Sequence, residues 1–154
     1  MRAGAVLVAA AAALAIGLAA CAGPPISPTP APVSGVYQQV ALHGGSLVGA
    51  VSGDAGCAVA DQAPLATHVR FHIPASSGDV QDVYLFVYAD RAAFDRQASS
   101  FASCRAAYAA SQAAGGRPVR AVEVSPYRAF GPAWSDETLG VIRDALTVAA
   151  GNGG

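Results

Sequence analysis

His68 and His72 stand four residues apart, a spacing at which a helix would aim both imidazoles at one metal ion. The residues around them argue for a strand instead. In Thr67-His68-Val69-Arg70-Phe71-His72-Ile73 the apolar side chains alternate strictly with the polar ones. On a strand the two rings stand roughly 13 Å apart at about 3.3 Å per residue, too far to share an ion, and no metal site is expected. The other run with chemical potential is Ser125 to Trp134, which gathers Tyr127, Arg128, Phe130 and Trp134 with two prolines, Pro126 and Pro132. Aromatic and arginine side chains in a rigid loop make a recognition surface, so these four are the candidate binding residues; the same loop also reads as a latch, with Trp134 packed on Leu139. A third candidate surface is the row Tyr84, Phe86 and Tyr88, if Val83, Leu85 and Val87 face the core; a second packed layer would cover it.

The sequence holds no GxSxG elbow, and His43-Gly44-Gly45-Ser46 reads as a turn rather than an oxyanion loop. Gly53-Asp54-Ala55-Gly56 is a turn without the repeated acidic ligands of a calcium loop. Asp79, Asp82, Asp90 and Asp95 fall at turns, caps and polar faces rather than as a carboxylate pair. No catalytic residue and no cofactor is assigned, which points away from an enzyme. Nine arginines, no lysine and a net charge of −1 leave no basic stripe for nucleic acid.

The N-terminus fixes where this chemistry is placed. Met1-Arg2 is a short positive segment, Ala3 to Leu18 is uncharged and apolar, and the stretch ends in Leu18-Ala19-Ala20-Cys21. These residues resemble the signal of bacterial lipoproteins, whose lipobox is Leu, two small residues and Cys. The resemblance covers residues 1–21. It implies cleavage before Cys21, acylation of its thiol, and a lipid anchor in the cell membrane or outer membrane, with the domain on the periplasmic or extracellular side. Ala22, rather than Asp, follows the cysteine, which in Gram-negative relatives of this class implies the outer membrane. If Cys21 carries lipid, Cys57 and Cys104 remain in an oxidising compartment and are expected to pair.

Three segments follow: the signal 1–20, the acylated Cys21 with a Pro-rich tether to residue 35, and one domain over 36–150. Five prolines in 22–35 favour an extended spacer of up to about 40 Å. The domain is expected to be α+β, with a small, mostly antiparallel sheet and two helices on one face. Residues 67–88 form a hairpin that turns through Pro74 to Asp79, and 119–125 a third strand. Residues 36–51 read as a further hairpin turning on Gly44-Gly45, with an amphipathic helix as the alternative. The helices span about 91–112, capped by Asp90 and striped by Phe94, Ala98, Phe101, Cys104 and Tyr108, and about 136–150, capped by Ser135. The functional expectation is a membrane-tethered domain that binds an envelope protein or small ligand; the alternatives are an accessory envelope lipoprotein without ligand, or an unrecognised hydrolase.

Overall fold

The computed structural model describes residues 33–74 and 80–151. The signal, Cys21, tether residues 22–32 and most of the Pro74–Asp79 turn lie outside them. The architecture is α+β: a five-stranded, wholly antiparallel sheet with helices. In chain order the elements are α1 (Val33–Leu42), β1 (Ser46–Ser52), β2 (Ala66–His72), β3 (Val80–Val87), α2 (Arg91–Arg96), α3 (Ala98–Gln112), β4 (Val119–Val124), β5 (Tyr127–Pro132) and α4 (Asp136–Ala149). The strand order is β1-β2-β3-β5-β4.

The central hairpin forms as its alternation dictates, with His68 opposite Tyr84 and Arg70 opposite Asp82. Val69, Phe71 and Ile73 point to one face and are buried. On that face α1 and α4 pack: Val36, Val40, Ile142, Leu146 and Ala149 meet Val83, Leu85, Val122, Tyr127 and Ala129. The opposite face carries Ala66, Tyr84, Phe86, Tyr88 and Phe130, covered by Phe94, Phe101, Cys104 and Tyr108 of α2 and α3. Helices therefore lie on both faces, not on one. The cause is the aromatic row on β3, which is as apolar as the Val-Leu row behind it and needs its own cover.

Three local expectations are corrected. Residues 36–51 are not a hairpin: α1 runs from Val33, so the last three residues expected in the tether are helical. Val36 and Val40, four apart, supply the buried stripe. Gly44 and Gly45 lie beyond the helix and end it. Gly44 takes a positive φ of 79°, and its N–H and that of Gly45 donate to the carbonyls of Ala41 and Val40.

The helix expected over 91–112 breaks at Gln97 into α2 and α3. The break turns Ala98 out to solvent, while Phe94, Phe101, Cys104 and Tyr108 keep the stripe. The loop expected at 125–134 contains β5, every residue of which is buried. Gly131 is required there, because a Cβ would collide with the Asp82 carbonyl and the Trp134 indole nitrogen. The two caps form as expected: Asp90 accepts from the Ala93 N–H at 2.7 Å and Ser135 from the Thr138 N–H at 3.0 Å.

Candidate functional site

The densest polar arrangement outside the core is built around His68. Its position on β2 places the ring on the aromatic face, stacked on its cross-strand neighbour Tyr84 with centroids 4.4 Å apart. Its Nδ1 lies 3.1 Å from Asp54 Oδ2 and its Nε2 2.8 Å from Asp82 Oδ1. Asp82 reaches it from β3. Asp54 is delivered by the turn after β1, where its other oxygen accepts from the Gly56 N–H at 2.9 Å. Gly56 is closely shaped to the site: a Cβ there would stand 2.8 Å from the Tyr84 ring.

The pairing of His68 with Asp82 follows from register. Arg70 is directly opposite Asp82, yet the carboxylate turns to His68, one pleat away on the same face. Sequence reasoning had no means of bringing in Asp54, which arrives from outside the hairpin.

The cluster is not a metal centre. The two carboxylates approach opposite edges of the imidazole, so they cannot converge with it on one ion, and the described residues contain no group of three or more such side chains able to hold a metal. Both ring nitrogens face carboxylates. Tyr84 and Tyr108 complete the site. Burial raises the Tyr84 hydroxyl well above its ordinary value, with smaller contributions from Tyr108, Asp54 and Asp82. Burial likewise raises Tyr108.

Beside Asp82 an open cleft of about 490 Å³ is lined by Val80, Gln81, Asp82, Arg117, Pro132 and Ala133. Its lining is mostly polar and includes Asp82, whose carboxylate holds His68, and the exposed Arg117.

The four residues singled out from the aromatic-arginine run are interior: Tyr127 and Phe130 are fully buried, and Arg128 and Trp134 nearly so. Arg128 holds Glu123 at 2.8 Å and lies over the Phe94 ring, 3.8 Å from its centre, with Tyr88 and Phe101 also in range. Tyr88 in turn donates to Gln62 at 3.3 Å, and Gln62 to Gln97 at 3.0 Å. Trp134 packs in the α1–α4 layer with Leu139 and donates to the Asp82 carbonyl at 3.0 Å, so the latch reading describes its place. The row Tyr84, Phe86 and Tyr88 is covered by α3 and presents no outer surface. Cys57 and Cys104 are joined in a disulfide that ties the turn after β1 to α3. Cys21 lies outside the described residues. No protein-family profile, no curated protein and no solved structure matches the chain.

Proposed function

We propose that this chain is a bacterial envelope lipoprotein, anchored by acyl groups on Cys21, whose domain serves as a binding module for a partner protein or small ligand outside the cytoplasm. The observation that carries the anchor is the arithmetic of sulfur. Two of the three cysteines are spent on one bond. The third stands at the end of Leu18-Ala19-Ala20-Cys21, where lipoproteins are acylated. A disulfide between a surface turn and a core helix also suits an oxidising compartment.

The cleft at Asp82 and Arg117 supports the binding role. Its size is that of a ligand site, but its walls are open and mostly polar, which suits a segment of a larger partner carrying both signs of charge better than an enclosed apolar ligand. The aromatic-arginine run no longer serves as the contact surface, because its side chains hold the core. The His68 cluster weighs against a hydrolase. A general base needs one ring nitrogen free for the nucleophile, and in His68 both are engaged by carboxylates.

Mass spectrometry of the mature N-terminus tests the anchor, with diacylglyceryl on Cys21 expected. A photo-crosslinker placed at Ala133 in intact cells tests the module. A discrete adduct that disappears in Arg117→Glu supports it. Adducts no different from those formed at Val148 on α4 overturn it.

A further inference from the structure

The two edges of the sheet are unlike each other. β4 carries Arg120 and Glu123 and is flanked by Arg117-Pro118 and Pro126, the charges and prolines that keep an edge from pairing with a foreign chain. β1, the other edge, has neither: its sequence is SLVGAVS and six of its seven residues are exposed. The neutrality extends beyond the strand. No charged side chain falls between Arg2 and Asp54, so α1 and β1 together form an uncharged margin of the domain.

Among the described residues, four of the six exposed large hydrophobic side chains lie on this margin: Leu42, Leu47, Val48 and Val51, with Leu42 74% exposed. They do not form a flat face. Leu47 is paired with Phe71 and Val51 with His68, on opposite sides of the sheet, and a bulge between Leu47 and Gly49 bends the strand. Such an edge is a poor template for strand addition but has the form of a wedge with apolar flanks. Arg70 stands beside it. It is exposed, its guanidinium leans across β1 to within 3.8 Å of where a Gly49 Cβ would be, and it joins none of the ion pairs among the described residues.

We infer that the α1–β1 margin rests on the surface of an anionic phospholipid bilayer, with Leu42, Leu47, Val48 and Val51 entering the headgroup layer and Arg70 meeting lipid phosphate. The inference rests on the lipid-anchored reading above. The length of chain before the fold supports this occupant: α1 begins at Val33, and the eleven residues 22–32 between it and Cys21 span about 34 Å in polyproline form, so an anchored domain begins α1, the first element of this margin, within about that distance of the membrane. Charge supports it too, since an uncharged apolar margin flanked by Arg70, which joins no ion pair among the described residues, suits an anionic interface. At headgroup depth the open backbone groups of β1 remain hydrated, which hydrocarbon would not allow.

The test uses the full acylated protein in nanodiscs of phosphatidylcholine and phosphatidylglycerol containing a nitroxide-headgroup lipid. Amide signals of residues 42–51 are expected to broaden while those of α3 stay sharp. Arg70→Gln is expected to weaken docking about fivefold, the effect of one basic side chain near an anionic surface. Leu42→Ser combined with Val51→Ser, at positions already exposed, is expected to abolish the localised broadening with the fold intact. With Cys21 shown to be acylated, uniform or absent broadening overturns docking and leaves the anchor standing. Protection of β1 seen only in discs holding two copies assigns the edge to self-association and also overturns it. A chain without acyl mass on Cys21 removes the anchor and the inference with it.

Discussion

The guanidinium of Arg128 lies 3.8 Å from the centre of the Phe94 ring, which brings a strand cation and a helix aromatic together inside the α2–α3 layer. One of its terminal nitrogens, Nη1, is buried with no hydrogen-bond partner among the described residues, while its Nε donates to Glu123 at 2.8 Å. Removing the carboxylate alone leaves a buried charge uncompensated. Glu123→Ala is therefore expected to cost about 2 kcal/mol in a urea titration, discounted because Glu123 itself is partly exposed. Arg128→Met combined with Glu123→Ala is expected to recover stability to within about 1 kcal/mol of the parent. A double variant no more stable than Glu123→Ala would show that the cation, not the pairing, sustains the layer.

The bond between Cys57 and Cys104 spans 47 residues of sequence. Replacing both by Ala is expected to lower stability by about 4 kcal/mol, from the freedom restored to the unfolded chain. Equilibrium unfolding of the two proteins, compared without reductant, measures it. A difference below about 1 kcal/mol would mean that the turn after β1 is held by its other contacts.

His68→Phe keeps a ring against Tyr84 and deletes both carboxylate contacts. Asp54 and Asp82 are each about two-fifths exposed, so water screens much of the loss, and a cost of about 1 kcal/mol is expected. The local effect is larger than the global one. Amide exchange across Gly53–Cys57 is expected to quicken, because Asp54 loses the partner that positions it for the Gly56 N–H. Unchanged exchange there would detach the turn from the imidazole.

Burial raises the hydroxyls of Tyr84, Tyr88, Tyr108 and Tyr127 above the ordinary 10.0. The unfolded chain thus releases these protons first as pH climbs. The stability they contribute is whole below about pH 10 and is lost progressively above it. The urea midpoint is expected to hold up to about pH 10 and to fall above it, with tyrosinate absorbance rising in step with unfolding. Tyrosinate formed well before unfolding would contradict the burial of these rings.

The elements legible in the sequence are those whose two sides differ. β2 alternates because one side is apolar and the other polar, and Asp90 and Ser135 mark helix starts by their own hydrogen bonding. β5 was illegible for the opposite reason. With both faces covered, Tyr127-Arg128-Ala129-Phe130 has no alternation, and Gly131-Pro132 has the composition of a loop. α1 was obscured by two glycines whose place is past its end, not in a turn between strands. The disulfide was legible once Cys21 was set aside. In the His68 cluster, alternation in the hairpin puts Asp82 on the same face as His68 but does not report which cross-strand partner its carboxylate takes. Asp54 was not legible, because no local pattern reports which turn a tertiary fold lays against an imidazole.

The packing of α1 against α4 has a consequence for how the chain is made. The first helix of the domain and the last share one layer, and roughly a hundred residues separate Val36 and Val40 from Ile142 and Leu146. Whether the polypeptide emerges from a ribosome or from an export channel, N-terminus leading, α1 has to wait without its mate until the final turn of α4 is released. This layer therefore closes only after α4 has followed α1 out, late in the emergence of the domain. Any chaperone of the chain has its longest task in shielding Val36 and Val40 during that interval.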